Sequence, residues 1–269
     1  MTAFVAAQRI LPVGLGSRRA WLLIERNLFV YRSGWLVIVS GFFEPLFYLL
    51  SIGFGLGGMV GDVPGPNGDP IPYAVFVAPA LLATASMNGA ISESTFNVFF
   101  KLNYAKTYDA ILSTPMAPGD VALGEIGWAV IRSSLYAIGF TVVIVVLQLV
   151  QSPWAIFAIP AAMLMSFAFA AVGMACTTFM RSWQDFDLIN LVVLPLFLFS
   201  GTFFPVSAYP PALQLIVQVT PLYQGVDLIR QLVTGHIDAT LAVHVVYLTV
   251  MGLIGLGIVA RRLDKLLLK

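Results

Sequence analysis

Charged residues are scarce in this sequence. Only 10% of the 269 residues are Asp, Glu, Lys or Arg, whereas 59% are hydrophobic, and the mean hydropathy is +0.92. An ordinary soluble domain carries about 25% charged residues, so the composition predicts an integral membrane protein. The net charge is only +1, and no basic patch contains interleaved aromatic residues, so nothing indicates a nucleic-acid partner.

Residues suited to metal, redox or hydrolytic chemistry are also few. The single cysteine, Cys176, lies in an apolar run, which excludes an internal disulfide and a cysteine metal site. His236 and His244 have no carboxylate spaced to complete a zinc site, and no Ser–His–acid set suggests hydrolysis. No stretch matches the phosphate-binding pattern G-x-x-x-x-G-K-[ST]. The sequence therefore predicts no metal site, no cofactor bound by this chain and no enzyme activity.

Long apolar segments are abundant. A helix needs about 20 apolar residues to cross a bilayer, and six segments approach or exceed that length. The predicted fold is an all-α integral membrane protein in which residues 1–269 form a single domain with spans at 34–56, 73–100, 121–150, 154–180, 187–204 and 241–260.

The basic residues predict the orientation of these spans. With both termini inside, all but two of the 14 lysines and arginines fall in inner segments. The exceptions are Arg132, inside a span, and Arg230, outside. Because positive residues concentrate in cytoplasmic loops, we expect a multi-pass protein with both termini in the cytoplasm. The loop 101–120 is then inside, and residues 205–239 are outside.

Residues 17–32 predict a helix on the inner membrane surface. At 100° per residue, the charged side chains of SRRAWLLIERNLFVYR share one arc, and Trp21, Ile24, Leu28 and Tyr31 share the opposite arc. This arrangement is typical of an interfacial helix. A basic juxtamembrane tail is the alternative.

The segment 205–239 predicts a re-entrant helical hairpin between spans five and six. Pro205 and Pro221, with Pro210 and Pro211, interrupt it, and each proline removes a backbone donor. We expect two short helices that return part-way into the membrane, with Leu213, Ile216 and Val217 buried and Asp227 paired with Arg230. The alternative is an ordinary outer loop with an interfacial helix.

Four charged residues lie within predicted spans, at Glu44, Glu93, Glu125 and Arg132. A charge at membrane depth is costly and faces a partner or a cavity. Glu125 and Arg132 are seven residues apart on one helix face, so they are expected to share a polar network. The four residues either line a substrate path or clamp neighbouring helices together, and Glu93 and Glu125 could also reach the inner surface.

The inner loop contains a short predicted helix at TYDAIL, before Thr114 and Pro115. Its residues Tyr108, Ile111 and Leu112 form one apolar edge at helical spacing. An exposed apolar edge would suit docking of another protein. Packing onto the chain's own inner helix ends is the alternative.

Several stretches resemble the permeases of type-2 ABC exporters, most closely those that export lipo-oligosaccharides. They are YDAILSTPMAPGDVALGE, FDLINLVVLPLFLFSGTFFPVSAYPPALQLIVQVTPLYQGVDLIR and the terminal RRL, within residues 100–265. The resemblance implies a coupling helix, which contacts the ATPase, at Tyr108, Asp109, Ala110, Ile111 and Leu112. It also implies an amphipathic connecting helix at 17–31 and an outer re-entrant pair built from 205–235.

The resemblance further implies a function and partners. Two permease chains, identical or homologous, would work with two ATPase chains that bind ATP and Mg²⁺ in a prokaryotic plasma membrane. Alternating access would then move an amphipathic substrate outward. Gln224-Gly225 departs from the His-Ser typical of the lipo-oligosaccharide permeases, so a glycolipid and a hydrophobic drug both stay open as substrates. A secondary transporter or channel is the alternative, and an intramembrane lipid-modifying enzyme comes third.

Overall fold

The structure is a computed structural model that describes residues 18–32, 35–65 and 68–267. Residues 17 and 34, which begin the predicted surface helix and first span, lie outside the described residues, as do both chain ends. The described helices are α1 (Arg18–Arg32), α2 (Trp35–Tyr48), α3 (Tyr73–Ser92), α4 (Thr107–Leu112), α5 (Pro118–Val146), α6 (Ala158–Thr177), α7 (Asp185–Phe199), α8 (Pro211–Val219), α9 (Pro221–Thr234) and α10 (Thr240–Leu267).

Three of these helices extend beyond their regular α-helical part. Helix α2 continues through a π-helical segment and one further turn to Val60, and α3 continues through a π-helical turn to Asn103. Helix α6 is preceded by the 3₁₀ turn Pro153–Phe157. Five helices are long and apolar enough to cross a membrane, among the residues described: Phe43–Val60, Tyr73–Asn103, Pro118–Val146, Pro153–Thr177 and Thr240–Leu267.

The predicted fifth span, 187–204, is a shorter helix in the structure. Helix α7 has 15 residues, or about 22 Å at 1.5 Å per residue, which is less than the ~30 Å hydrocarbon core. Gly201, with φ +68°, lies in the bend that follows. This left-handed conformation suits glycine because it has no Cβ. The helix therefore ends before its apolar sequence does.

Local sequence explains where several helices begin. Helix α5 starts with Pro118 at its first position, and the Asp120 carboxylate accepts a hydrogen bond of 3.0 Å from the Ala117 backbone N–H. Helix α9 starts with Pro221, and the Thr220 hydroxyl caps its first turn. Proline fits the first helical position because its missing N–H would have no partner there. The prolines therefore set helix starts.

Helix α3 is the centre of the bundle. It packs against α2, α5, α6 and α9. Within an apolar 18-residue stretch of this helix, 83% of the residues are buried. Alanines occupy much of its surface and that of α6. Small residues let membrane helices approach closely, so this composition suits the most crowded position.

The C-terminal part of α3 contains the π-helical turn Glu93–Asn97. Such a turn widens the helix and disturbs its regular hydrogen bonding, and it often marks a functional site. The Thr177 hydroxyl on α6 donates a 3.1 Å hydrogen bond to the Ser94 carbonyl. A backbone group in this turn is thus satisfied from a neighbouring helix, as burial in lipid requires.

The Gly/Pro-rich segment 57–72, between the first two predicted spans, contains a short β-hairpin. Strand β1 (Asp62–Pro64) pairs antiparallel with β2 (Pro70–Pro72), and Val63 lies opposite Ile71. Both of these central residues are buried, whereas their neighbours on each strand are exposed. The hairpin therefore turns one apolar pair toward the bundle.

The two helices of the segment 205–239 differ in burial. Helix α9 is mostly buried and packs against α3, α6 and α10. Helix α8 is mostly exposed: only Val217 is buried, at 3%, whereas Leu213 is 42% and Ile216 is 63% exposed. The expected burial of Leu213 and Ile216 is therefore wrong. The helix predicted from the apolar spacing is present, but α8 turns only one edge toward the protein.

Candidate functional site

A cavity of about 800 Å³ lies between α2, α3, α5 and α7. Its charged and polar lining includes Glu44 from α2, Arg132 from α5 and Asn190 from α7. Helix α3 adds Thr84, Asn88, Ser92 and Thr95. Drug-sized ligands occupy pockets of about 300–1,000 Å³ with a few placed polar groups, so this cavity is the candidate substrate site.

Aromatic rings form much of the remaining cavity surface. Phe96 and Phe186 stack with their ring centroids 4.1 Å apart, and Tyr48 and Phe197 meet at 5.6 Å. All four residues line the cavity. The site therefore combines polar groups, mainly from α3, with apolar and aromatic surface from α2 and α7, which suits an amphipathic molecule.

The Glu93 carboxylate lies in a dense hydrogen-bond network behind the cavity. It is 1% exposed and forms an ion pair with Arg132. It also accepts hydrogen bonds from the Asn97 amide at 2.8 Å, the Trp128 indole at 3.0 Å and the Tyr31 hydroxyl at 3.3 Å. A buried carboxylate needs such partners because desolvation strongly disfavours its charge. The network joins α1, α3 and α5.

Tyr136 positions Arg132 from the other side. Its hydroxyl accepts a 2.9 Å hydrogen bond from Arg132 Nε. A Cβ placed on Gly41 of α2 would lie 2.6 Å from the ring carbon Cζ, and one on Gly89 of α3 would lie 3.0 Å from Cδ2. The two glycines therefore leave space for the Tyr136 ring between α2 and α3.

The expected pairing of Glu125 with Arg132 is wrong. Glu125, 2% exposed, is instead paired with Lys101 at 2.7 Å, and the Asn27 amide donates to it at 3.2 Å. Lys101 was assigned to the inner loop, but α3 extends through its π-helical turn and carries this lysine to Glu125. The two acids face different neighbours: Glu93 meets Arg132, and Glu125 meets Lys101.

The predicted apolar edge of α4 packs on the chain's own helices. Tyr108 is fully buried, and Ile111 and Leu112 are half-buried against the core. Burial first, and then the negative charge of Glu125, raises the pKa of the Tyr108 phenol well above its usual value. The exposed residues of this helix are Asp109 and Ala110. Its exposed face is therefore small and carries one negative charge.

The expected ion pair between Asp227 and Arg230 is also wrong. Asp227 accepts a 3.0 Å contact from His244 and a 3.1 Å hydrogen bond from Gln231. Arg230, 5% exposed, donates to the Gly201 carbonyl at 2.7 Å and lies over the Phe76 ring. Arg230 thus joins α9 to the bend after α7. It does not line an open outer mouth.

The structure divides the four intramembrane charges between two settings. Glu44 and Arg132 line the cavity, whereas Glu93 and Glu125 are buried in ion pairs between helices. The sequence did not predict the residues that bind the two buried carboxylates: Tyr31 and Trp128 for Glu93, and Lys101 and Asn27 for Glu125.

Two further contacts could have been predicted from the sequence. Asn97 follows Glu93 by four residues and Tyr136 follows Arg132 by four, so each pair lies on one helix face.

Comparison with known proteins adds a family match. Residues 18–234 match the family model described as "ABC-2 type transporter". Nodulation protein J of Rhizobium leguminosarum bv. viciae is 32% identical over 250 residues, which cover 90% of this chain and 95% of that protein. Nodulation protein J of Neorhizobium galegae is 31% identical over 229 residues, covering 82% and 85%. Inner membrane transport permease YadH of Escherichia coli is 22% identical over 219 residues, covering 80% and 83%.

Proposed function

Because the chain belongs to the ABC-2 type transporter family, we propose that it is the permease subunit of an ATP-driven exporter of amphipathic molecules. The cavity between α2, α3, α5 and α7 carries this proposal, because its size and mixed lining fit an amphipathic substrate. The substrate enters from the inner leaflet or cytoplasm and leaves on the outer side. The work comes from ATP hydrolysis on a separate chain.

The ATPase docks at α4 in this proposal. The exposed side of α4, with Asp109 and Ala110, would contact the ATPase, and the buried Tyr108 would hold the helix against the permease. Tyr108 lies next to Glu125, and Glu125 joins Lys101 of α3 to Asn27 of α1. A displacement of α4 would therefore move the inner ends of α1, α3 and α5 with it, since tightly packed protein interiors transmit strain.

The proposed topology has six spans in a prokaryotic plasma membrane, with both termini in the cytoplasm. Helix α7 with the bend that follows it would form the fifth crossing. Helix α1 would lie at the inner interface, with Trp21 and Leu28 exposed toward lipid. Helices α8 and α9 would form the outer re-entrant pair, and the burial of α9 among the spans supports this part.

Two permease chains and two ATPase chains form the proposed complex. Helix α7 supports a second permease copy, because Leu188, Leu191 and Leu194 are exposed by 59–69% next to the cavity. In a single chain this apolar surface would face lipid. In a dimer it would enclose the substrate path between two copies, as closed symmetric assemblies of membrane subunits allow.

Purification of the tagged chain from its native membrane tests the assignment. We expect an ATPase with a G-x-x-x-x-G-K-[ST] motif to co-purify in a 1:1 ratio, and the variant Asp109→Arg to lose it. The matched control Asp62→Arg, on the β1–β2 hairpin that would lie outside in the proposed topology (the outer hairpin), should keep the ATPase. A chain that purifies without any ATPase and still catalyses transport would contradict the proposal.

Cysteine labelling tests the topology. A membrane-impermeant reagent should reach a cysteine at position 62 in intact cells but not one at position 113, which follows α4. Cys176 is changed to Ser first, because it is exposed from the protein. The reverse labelling pattern would invert the proposed orientation.

A further inference from the structure

Glu44 lies within the first predicted span, on the cavity wall. It is the tenth residue of α2, about 14 Å along the helix from Trp35 at 1.5 Å per residue, and the hydrocarbon core is ~30 Å thick. Its side chain is exposed from the protein and lines the cavity. A carboxylate at this depth is costly unless a positive charge or a cavity accompanies it.

The chain supplies no counter-charge to Glu44 in the part that the structure describes. None of the ion pairs among those residues includes it. Among the described residues that line the cavity, Arg132 is the one cationic side chain, and Glu93 already balances its charge. Asp187 adds a second carboxylate at the start of α7. The cavity is therefore net negative.

Aromatic rings surround the same space. Tyr48 follows Glu44 by one helical turn, and its ring meets Phe197 at 5.6 Å. Phe96 and Phe186 add a stacked pair, and all of these residues line the cavity. An aromatic face attracts a cation, and the attraction grows when water is excluded. A carboxylate beside such rings is a recognition site for a positively charged organic group.

We propose that this exporter selects amphipathic molecules that carry a positive charge, such as a protonated or quaternary amine on an apolar body, and that Glu44 is the residue that determines this specificity. The inference rests on the proposed export function. The amine lies against Glu44 and the aromatic rings, while the apolar body contacts α2 and α7. An anionic amphiphile is rejected because it meets the carboxylates of Glu44 and Asp187, and the one cation among the described lining residues, Arg132, is already paired with Glu93.

Three fluorescent probes with the same dodecyl chain test this proposal. They end in a trimethylammonium, a hydroxyl or a sulfonate group. Binding to the detergent-solubilised permease–ATPase complex is followed by fluorescence anisotropy, and ATP-dependent transport is followed in proteoliposomes. We expect the wild type to bind the trimethylammonium probe at least about tenfold more tightly than the other two, because truncating one partner of a desolvated charge pair is costly.

Variants assign the selectivity to Glu44. Glu44→Gln should lose the tenfold preference while its binding of the hydroxyl probe stays unchanged, and Glu44→Asp should keep most of the preference. Asp62→Asn removes one charge from the outer hairpin and should behave as wild type. The inference is wrong if the wild type shows no preference for the trimethylammonium probe, or if Glu44→Gln keeps that preference. In that case Glu44 is neutralised by protonation or by a cationic residue of a second copy of the chain.

The two readouts separate this inference from the proposed function. Charge-selective binding that depends on Glu44, without ATP-dependent transport, would overturn the export function and leave the specificity site standing. ATP-dependent transport with no charge preference would support export and overturn the inference.

Discussion

Arg132 of α5 and Glu93 of α3 form an ion pair across two helices, at the π-helical turn of α3. The guanidinium also lies 4.9 Å from the centroid of the Tyr31 ring on α1. The pair thus joins the cavity wall to α1. It connects the site where substrate would bind with the side where an ATPase would act.

A double-mutant cycle tests this pair. Arg132→Met and Glu93→Gln should each lower the free energy of unfolding by about 3–5 kcal/mol, because each leaves a buried partner without compensation. The double variant should cost less than the sum of the two single changes. The measurement is the apparent melting temperature of the detergent-solubilised protein.

The control cycle combines Arg132→Met with Glu125→Gln. These residues share no bond in the structure, so their effects should add within about 0.5 kcal/mol. Coupling between Arg132 and Glu125 that exceeds the coupling between Arg132 and Glu93 would contradict the observed pairing.

The phenol of Tyr108 provides a second prediction. Its ring is fully buried, and its hydroxyl has no hydrogen-bond partner among the described residues. Tyr108→Phe should therefore leave stability unchanged or slightly higher, since it removes an unsatisfied polar group. Tyr108→Ala should cost about 3–5 kcal/mol through the cavity it creates. Equal losses in both variants would show that the hydroxyl, rather than the ring, holds α4 in place.

The exposed side of α4 provides a third prediction. Asp109→Arg reverses one exposed charge without disturbing the buried edge of the helix. We expect the variant to fold as wild type but to lose substrate-stimulated ATP hydrolysis by about tenfold or more, because it replaces the carboxylate at the proposed contact by a longer side chain of opposite charge, and charge complementarity determines which surfaces pair. Asp62→Arg is the matched control. Full stimulation in the Asp109→Arg variant would remove this face from the coupling contact.

The space around Tyr136 provides a fourth prediction. A Cβ on Gly41 would lie 2.6 Å from the ring carbon Cζ, so Gly41→Ala should destabilise the protein by about 1–3 kcal/mol through overpacking. Gly58→Ala is the control, because a Cβ there meets nothing within 4 Å. Thermal unfolding of both variants measures the difference. The addition of Tyr136→Ala should remove the extra cost of Gly41→Ala, and a cost that persists would contradict the contact.

Apolar length and proline position predicted most of the helices. Pro211 and Pro221 each occupy the first turn of a helix, and the apolar runs correspond to α2, α3, α5, α6 and α10. Length alone did not reveal that α7 stops at Phe199. Gly201 and the Arg230 bond to its carbonyl end the helix there, and that bond depends on a residue 29 positions away.

The partners of the buried charges could not be predicted from spacing. Periodicity places Glu125 and Arg132 on one face of α5, but it does not say which neighbouring helix each meets. The π-helical turn Glu93–Asn97 lies in this part of α3, and both Glu93 and Lys101 pair with residues of α5. Likewise, the apolar spacing predicted helix α8 correctly, but it did not predict that Val217 is the one residue of this helix that is buried.

The proposed function requires that ATP hydrolysis on a partner chain drives outward movement of an amphipathic molecule through this permease. Inside-out membrane vesicles that contain the complex test it most directly, with the dodecyl trimethylammonium probe and a fluorescence readout. We predict that ATP causes the probe to accumulate in the vesicles, that Asp109→Arg abolishes accumulation, and that dissipating the ion gradients has no effect. Accumulation that continues without ATP and stops when the ion gradients are removed would contradict the account.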